Sequence, residues 1–375
     1  MADTVFEFIG SLADGGAETL VKDYAKMLDP TLFCVKAVVI HADKSTANYK
    51  TIAANDTEII AVYKKWNVAV RAFNKVFGKY FVSRKLKRFI KQYHPTCIHV
   101  HLALLKYLVP ISKELKGIRL LYTCHSLPEH LFEGKNAAEK KAANYLIKNH
   151  ALRLISINPE AKDQLNEIFH IDNTVFIRNG IDFSRFHNNG IKKEEVRKEL
   201  GIPEDAFVIG HVGRFSPYKN HEFLIDIFNE TKKINDQAFL VMVGTGETKK
   251  DIMAKVRRLR LEQSTIVLSA RPDIHRILKA VDAFVYPAKF EGLRIVMIEA
   301  QVSGLHCVLS DSVAKEAFIS PLAIPMSIHE SPEKWAEAVI DITRRSAIED
   351  RTSEYDMKKE IRRLEKLYMG LNSSP

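Results

Sequence analysis

Short apolar runs alternate with longer segments of helical periodicity along almost the whole chain. Most of the short runs are continuously apolar rather than alternating in polarity, which is typical of strands that helices cover on both faces. In the first half of the chain, the predicted strands are residues 5–9, 33–40, 58–62, 96–101, 119–124, 152–157 and 174–177. The helices predicted between them include residues 19–28, 137–149 and 160–169. Strands that alternate with helices indicate βαβ units and a parallel sheet.

The same pattern begins again in the second half of the chain. The strands predicted there are residues 207–212, 239–243, 265–268, 283–286 and 307–309, and the helices are 222–233, 248–261 and 295–303. Two Asn-Gly pairs, at 179–180 and 189–190, lie between the two sets and mark loops. We therefore predict two domains, residues 1–184 and 185–354, with a charged C-terminal helix at 355–375 that packs back on the first.

The predicted fold class is α/β, with two doubly wound, Rossmann-like domains that face each other across a cleft. In open sheets of this kind, ligands bind beyond the carboxyl ends of the strands. The loops that follow the strands are therefore where the functional residues are expected.

The composition is that of an ordinary globular protein and argues against several classes. The chain has 375 residues, of which 46% are hydrophobic and 27% are charged. No apolar run approaches the ~20 residues of a membrane span, and the first residues show no secretory signal pattern. The four cysteines form no Cys-x-x-Cys pair, which argues against zinc ribbons and disulfide scaffolds and favours a reduced, cytosolic location.

Two loops follow the first strands of the two domains. Residues 10–18 contain Gly15 and Gly16 and open a helix, whose N-terminus favours an anion, although an ordinary tight loop explains them equally well. The Gly-x-Gly-x-x-Gly fingerprint is absent, which weakens the case for a dinucleotide oxidoreductase. Residues 213–220 carry Arg214 and Lys219, which can neutralise a diphosphate, although a solvated basic loop is the commoner structure for such a segment.

A third loop places two carboxylates eight residues apart, Glu291 just before a helix and Glu299 within it. Eight helical residues correspond to ~12 Å of rise, which is wider than the ~5 Å that separates the carboxylates of a retaining hydrolase. The pair therefore fits two separate anchors for hydroxyl groups of an elongated ligand, with amides of residues 293–296 available to a phosphate between them. The alternative is one glutamate at a helix N-terminus and one on the surface.

These motifs together resemble those of the retaining family 4 glycosyltransferases of GT-B fold. The resemblance rests on Glu291-x7-Glu299, on residues 213–219 and on residues 15–18, within two tandem α/β domains. Residues 290–304 are similar to the bacterial branch that builds exopolysaccharide and capsule. The linker at 179–182 and the turn at 243–247 also match, so the resemblance covers most of the chain.

The resemblance implies that residues 1–184 bind the acceptor and that residues 185–354 bind the nucleotide-sugar donor. Glu291 would hold hydroxyls of the donor sugar, and Glu299 would hold the ribose. Arg214 and Lys219 would bind the diphosphate and stabilise the leaving group. His125 matches the histidine beside the donor sugar at the reaction centre. The full expected donor site is Gly16, Arg214, Lys219, Glu291, Gly292, Leu293, Arg294, Ile295 and Glu299, and the expected catalytic residues are His125, Glu291, Arg214 and Lys219.

Arg294 departs from the family, which usually has proline or glycine beside the phosphate-binding amides. It either adds a phosphate contact or points to solvent. No Asp-x-Asp motif occurs, in agreement with cations and helix dipoles replacing a metal on the diphosphate, so no metal and no cofactor besides the nucleotide-sugar substrate are expected. His99 and His101 share one face of a strand and can ligate zinc, but a cleft-lining or acceptor-contacting role is preferred.

Residues 64–91 contain ten basic residues and no acidic ones, with aromatic and aliphatic side chains at helical spacing. Such a basic amphipathic helix is typical of proteins that lie on anionic membranes. The alternative is a helix whose aromatic stripe packs on the first sheet. The residues expected at the acceptor and the membrane are Lys64, Lys65, Trp66, Arg71, Lys75, Lys79 and His101. Nucleic acid is not an expected partner, because no known binding module is present.

The expected activity is transfer of a sugar from a nucleotide-diphosphate sugar to a hydroxyl of a lipid-diphosphate-linked glycan, with retention, in polysaccharide biosynthesis. UDP is favoured because it is frequent in the family. The expected location is cytoplasmic, peripheral at the inner face of the cell membrane. The alternatives are a GT-B sugar-nucleotide epimerase and a non-catalytic, membrane-associated binding protein.

Overall fold

The computed structural model describes residues 2–13, 15–132, 137–187 and 190–371. Asp14 of the first glycine loop, Asn188 and Asn189 of the predicted linker, and residues 372–375 of the predicted C-terminal helix lie outside these ranges. The chain divides into two compact units. One runs to Gly180 and resumes at Met357, and the other spans Ile181–Asp356.

The first unit is built on a parallel sheet, which has seven strands within the described ranges. Its strands are β1 (Asp3–Ile9), β2 (Phe33–His41), β3 (Glu58–Tyr63), β4 (Cys97–His101), β5 (Arg119–Cys124), β6 (Arg153–Ser156) and β7 (Val175–Phe176). They lie in the order β3-β2-β1-β4-β5-β6-β7. The order reverses direction between β1 and β4, so the sheet has its topological switch point there.

Six helices cover this sheet within the part of the chain up to Gly180 that the structure describes. They are α1 (Gly16–Met27), α2 (Ala47–Ala54), α3 (Val68–Tyr93), α4 (Pro128–Phe132), α5 (Ala137–His150) and α6 (Pro159–Phe169). Side-chain caps begin three of them: Thr46, Asn67 and Asn158 each accept a hydrogen bond from an amide of the first helical turn.

The second unit repeats this architecture with six parallel strands among its described residues. The strands are β8 (Phe207–Val212), β9 (Ala238–Val243), β10 (Thr265–Leu268), β11 (Ala283–Tyr286), β12 (His306–Ser310) and β13 (Ala323–Met326). Its helices are α7 (Lys193–Leu200), α8 (His221–Ile234), α9 (Lys249–Arg258), α10 (Ile274–Lys279), α11 (Ile295–Val302) and α12 (Pro332–Ile340). The strand order is β10-β9-β8-β11-β12-β13, which places the switch point between β8 and β11.

The last helix, α13 (Met357–Tyr368), belongs to the first unit. Its apolar residues are buried in a cluster with residues of β1, β5 and β6; they are Met357, Ile361, Leu364, Leu367 and Tyr368. The chain re-enters this unit against Gly180, where an added Cβ would lie 2.6 Å from the Cα of Met357. A side chain at Gly180 would therefore block the return of the chain. In the described part of the protein, no helix has both the length and the apolar character to span a bilayer.

Candidate functional site

Most of the predicted site residues lie at the ends of strands that flank the two switch points, or of a strand next to them. In the second unit, residues 213–220 follow β8 and residues 287–294 follow β11. In the first unit, Gly16 begins α1 after β1, His101 ends β4, and His125 comes directly after β5. Because ligands of open parallel sheets bind at the carboxyl ends of the strands, each unit presents its predicted residues at the edge where binding is expected.

In the second unit, an ion pair joins the two loops at the switch point. The Lys219 ammonium contacts Oε2 of Glu291, and only about a tenth of each side chain is exposed (9% and 10%). Burial lowers the pKa of Lys219 to about 8, and the Arg294 guanidinium acts in the same direction. Lys219 thus remains largely protonated at neutral pH, and the contact with Glu291 favours that charge.

The Glu291 carboxylate is held by a second cation. Nε of Arg294 lies 2.8 Å from Oε1 of Glu291, while 60% of the Arg294 side chain stays exposed. The backbone is anchored as well, since the Ala314 amide donates to the Glu291 carbonyl at 2.9 Å. Instead of pointing only to solvent, Arg294 therefore helps to fix the carboxylate that precedes α11.

The other predicted cation, Arg214, is 73% exposed and pairs with Glu247 at 3.2 Å. Its loop is packed closely against the turn that follows β9. An added Cβ on Gly244, whose φ is +155°, would lie only 2.0 Å from the carbonyl oxygen of Gly213. Only glycine allows this approach of the two backbones, so Gly244 determines how closely the Arg214 loop packs against the turn.

The start of α11 offers backbone amides beside this ion pair. Gly292, Leu293, Arg294 and Ile295 are all exposed, and α11 begins at Ile295. Amides in a first helical turn lack partners within the helix and favour anions. Glu299 lies further along α11 and is half-buried, and its carbonyl accepts a hydrogen bond from the Ser303 hydroxyl at 2.8 Å.

A buried histidine that the sequence analysis did not identify lies beneath Lys219. His211 of β8 is fully buried, and its ring stacks on that of Tyr286, with centroids 5.2 Å apart. Its Nδ1–H donates to the Val285 carbonyl at 2.9 Å. Burial lowers the pKa of His211 to about 4, so the ring is neutral at physiological pH.

In the first unit, Gly15 caps α1 and Gly16 is its first residue. A Cβ added to Gly16 would meet nothing within 4 Å among the described atoms, whereas one added to Gly15 would meet the Glu18 carboxylate. The first turn of a helix favours an anion, and a bound phosphate would compete there with the Glu18 carboxylate, so the role of Gly16 stays a prediction.

The first unit also contains a buried polar network that extends from Glu7 of β1 to His125. Nε2 of His101 lies 2.7 Å from Oε2 of Glu7, and Nδ1 of His101 lies 2.9 Å from Nε2 of His125. The Tyr368 hydroxyl of α13 donates to Oε1 of Glu7 and lies 2.7 Å from Nδ1 of His99. His101 is predicted to contact the acceptor. In the structure it is fully buried, and its polar contacts are with Glu7 and His125.

The electrostatics of this network favour one ionised carboxylate. Burial acts to raise the pKa of Glu7, but the charge of His99 and the hydrogen bond from His101 outweigh it and hold that pKa well below its ordinary value. Burial lowers the pKa of His101 to about 4. Burial, reinforced by His101, also lowers the pKa of His125 well below its ordinary value. His101 and His125 are therefore neutral at physiological pH.

Glu7, His99 and His101 each offer an atom that lies within 4.8 Å of the others, a spacing that could hold a metal ion. In the described structure, both ring nitrogens of each histidine and both oxygens of Glu7 already have hydrogen-bond partners. A metal ion would have to displace these bonds, so the arrangement fits a hydrogen-bond network better than a metal site.

The predicted basic helix is α3, and its apolar side chains divide into two sets. Val70 and Phe81 pack against the core of the first unit, as does Trp66 just before the helix. Others stay exposed at the spacing i, i+3, i+4, i+7, namely Phe73 (43%), Val76 (71%), Phe77 (57%) and Tyr80 (71%). The basic residues Arg71, Lys75 and Lys79 are exposed beside them. We call these seven exposed residues the α3 surface.

Two family models match the chain and together span most of it. The model for glycosyl transferases group 1 matches residues 192–359, and the model for Glycosyltransferase Family 4 matches residues 14–185. This chain belongs to the family 4 glycosyltransferases. The boundary between the two matches falls between residues 185 and 192, close to the linker between the two units.

Individual relatives agree with this assignment. The glycosyltransferase is 27% identical to EpsF of Bacillus subtilis over 342 residues, which cover 89% of this chain and 86% of that protein. It is 29% identical over 239 residues, 60% of each chain, to the UDP-Gal:alpha-D-GlcNAc-diphosphoundecaprenol alpha-1,3-galactosyltransferase of Escherichia coli.

Solved structures confirm the predicted two-domain α/β, GT-B fold class. A glycosyltransferase from Rickettsia africae matches with a TM-score of 0.73 at 15% identity over all of both chains. HepE from Anabaena, solved in complex with UDP-glucose, matches with a TM-score of 0.65 at 19% identity over 98% of both chains. At these identities the likeness establishes the fold alone.

Proposed function

We propose that this glycosyltransferase moves a sugar from a UDP-sugar to a hydroxyl of a lipid-diphosphate-linked glycan, with retention of configuration, at the inner face of the cell membrane. The observation that carries the proposal is the Glu291 carboxylate, which lies between Lys219 and Arg294 at the carboxyl edge of the second sheet. A carboxylate held in place by two cations is suited to accept hydrogen bonds from sugar hydroxyls, while the cations attract a diphosphate.

The donor would bind by exchanging partners within this ion-pair group. A phosphate at the start of α11 would compete with Glu291 for the Lys219 ammonium, which lies in the neighbouring loop. Glu291 would then have an oxygen available for a hydroxyl of the sugar. Lys219 and Arg214 would stabilise the charge of the departing nucleotide without a metal ion. The UDP and UDP-glucose complexes of HepE support the choice of a uridine nucleotide as the first donor to test.

The lipid-linked acceptor is proposed from two observations. The E. coli relative acts, by its name, on a sugar linked through a diphosphate to undecaprenol. The α3 surface carries an exposed apolar stripe with basic residues beside it, the arrangement by which helices lie on anionic membranes. Polysaccharide synthesis is the expected process, because two relatives are named for teichuronic acid and amylovoran biosynthesis and residues 290–304 resemble the exopolysaccharide branch.

The test is ligand-induced thermal stabilisation in EDTA with UDP, GDP, ADP and CMP, on the wild type and on Glu299→Gln. A nucleotide at ~100 times its Kd stabilises a protein by ~2.7 kcal/mol. UDP alone should stabilise the wild type, and Glu299→Gln should reduce the effect because the proposed ribose contact is weakened. Stabilisation by another nucleotide only, or a requirement for a divalent metal, would contradict the donor or the metal-free part of the proposal.

Product analysis distinguishes transfer from the alternative activities. With a UDP-sugar and a diphosphate-linked glycan lipid, the proposal predicts an extended glycan with a retained anomeric configuration. An epimerised nucleotide sugar formed without acceptor, or no turnover at all, would contradict it.

A further inference from the structure

We propose that Glu7 and His101 are positioning residues that fix the proton of His125 on Nε2, so that His125 offers the lone pair of Nδ1 to a hydroxyl group of the ligand. The part of this inference that concerns the ligand rests on the proposed function. The part that concerns the proton rests only on the geometry of the first unit.

The Glu7 carboxylate sets the direction of the hydrogen bonds in the network. An ionised carboxylate accepts hydrogen bonds and donates none. Glu7 is fully buried, and its two oxygens face the Tyr368 hydroxyl and, at 2.7 Å, Nε2 of His101. His101 must therefore carry a proton on Nε2, because the opposite arrangement would place two acceptors against each other.

The ring of His101 determines the direction of the next hydrogen bond, to His125. A neutral imidazole that carries its proton on Nε2 has an acceptor at Nδ1. That nitrogen lies 2.9 Å from Nε2 of His125, so His125 must be the donor of this bond. Because His125 is also neutral, its remaining nitrogen, Nδ1, holds a lone pair.

The surroundings keep this direction fixed. Glu7 and His101 lie on the adjacent strands β1 and β4, and both are fully buried. The Tyr368 hydroxyl has a single proton, which it donates to Glu7, so it accepts the bond from Nδ1 of His99. Every bond that reaches Glu7 therefore points toward the carboxylate, and reversing one of them would leave a buried polar atom without a partner.

The chemical consequence is a preference among ligand groups. A ring nitrogen with a lone pair binds an O–H group, such as a sugar hydroxyl. It repels phosphate and carbonyl oxygens, which are acceptors themselves. With its proton on Nδ1, the same side chain would prefer those oxygens. Glu7 and His101 thus determine which class of ligand atom His125 can recognise.

Nitrogen-15 NMR of the full-length protein with labelled histidine tests the direction of the network. The signals of His125 are assigned by their loss in His125→Gln. The expected spectrum shows a proton on Nε2 of His125 and a bare Nδ1. A proton on Nδ1, or exchange between the two nitrogens, would overturn the proposal, and this result does not depend on any enzymatic activity.

A matched pair of variants tests the effect on transfer. In His101→Asn, the side-chain oxygen can occupy the position of Nδ1 and accept the hydrogen bond from His125. In His101→Gln, the longer side chain reaches toward Glu7 and offers no acceptor at that position. We expect His101→Asn to keep most of kcat, and His101→Gln to lower kcat about 10- to 100-fold with KM changed less than about threefold. Equal losses in both variants would indicate a merely structural role and would overturn the positioning role.

The role of His125 itself is tested separately. Transfer that is unchanged in His125→Ala would contradict the proposed contact between His125 and the sugar, whatever the NMR result. Loss of transfer in His125→Ala together with a proton on Nδ1 would instead retain the proposed function and overturn only the positioning role of Glu7 and His101.

Discussion

At the scale of single residues, Glu291 has an unusual environment for a carboxylate at the edge of a loop. It is largely buried, and both of its oxygens contact cations. A hydrogen bond to a charged group contributes about 1.5–3 kcal/mol to stability. The negative charge of Glu291 therefore contributes more to these contacts than the shape of its side chain does.

We predict that Glu291→Gln lowers kcat/KM about 10- to 100-fold, because glutamine keeps the size of the side chain but weakens its hydrogen bonds to the sugar and to Lys219. Steady-state kinetics of the purified variant measure this. Glu330→Gln is the control, because Glu330 forms an exposed pair with Lys334 on the same unit and should keep kcat/KM within about twofold. Equal activity in Glu291→Gln and the control would show that the assignment is wrong.

Sequence reasoning identified residues whose signal is local. Lys219 and Glu291 each lie in a short motif after a strand, and the structure brings them into contact although they are far apart in the chain. Glu7 and Tyr368 have no such signal. Their partners lie 94 and 361 residues away, and an acidic residue inside an apolar strand is not distinguishable from a surface position without the tertiary contacts.

At the scale of elements, α3 combines two surfaces in one helix. Val82, Leu86 and Ile90 are buried in the core, whereas the first half of the helix exposes the α3 surface. The spacing of the aromatic stripe predicts a single face, with membrane contact and core packing as the alternatives. The structure divides it, because Val70 and Phe81 pack against the core while Phe73, Val76, Phe77 and Tyr80 stay exposed.

We predict that the double variant Phe77→Ala/Tyr80→Ala binds vesicles of anionic phospholipid about tenfold more weakly than the wild type, because two exposed aromatic side chains can no longer insert. Co-sedimentation with phosphatidylglycerol vesicles measures the binding. Ile234→Ala is the control, since Ile234 is similarly exposed (53%) on the second unit. Unchanged binding, or equal binding to neutral vesicles, would contradict a membrane role for α3.

The C-terminal helix α13 contributes to the core of the first unit. We predict that Leu364→Ala lowers the free energy of unfolding by about 2–5 kcal/mol, since Leu364 is fully buried in the cluster with Val5 and Leu121. Leu371→Ala, at a position that is 55% exposed, should change it by less than about 0.5 kcal/mol. Urea unfolding of both variants measures the difference, and a small effect of Leu364→Ala would mean that α13 is loosely attached.

The sequence predicted most strands because continuous apolar runs are a strong local signal. It missed β13, whose four residues include Pro325, and short helices such as α7 and α10. β13 lies at the edge of its sheet, where proline is tolerated but strand patterns are weak. Elements of this size are defined by their neighbours more than by their own sequence.

At the scale of the whole molecule, each unit buries a neutral histidine under its candidate site, and this makes stability depend on pH. The pKa values of His101 and His211 are about 4 in the folded protein, below the ordinary value of 6.5. Between these values the unfolded chain binds protons that the folded protein does not. The contribution of these two histidines to the free energy of unfolding is therefore fully present above about pH 6.5 and is lost as the pH falls toward 4.

We predict that each of these histidines contributes a slope of ~1.4 kcal/mol per pH unit between pH 6.5 and 4. Replacing one of them with a side chain that does not titrate, as in His211→Phe, should reduce the slope by the contribution of one histidine, ~1.4 kcal/mol per pH unit. His329→Asn, at an exposed position, should leave the slope unchanged. Denaturant unfolding across this pH range measures the slopes, and identical slopes in the wild type and His211→Phe would show that His211 is not neutral when folded.

The return of the chain into the first unit at Met357 has a consequence for the order of synthesis on the ribosome. Residues up to Gly180 emerge first, and the whole of Ile181–Asp356 must follow before α13 leaves the exit tunnel. Until then the first unit lacks the tyrosine that donates to Glu7, and the apolar side chains under α13 face water. The second unit can fold during this interval, since domains generally fold as units during synthesis. A nascent chain that stalls before Met357 would therefore expose a hydrophobic surface that chaperones recognise.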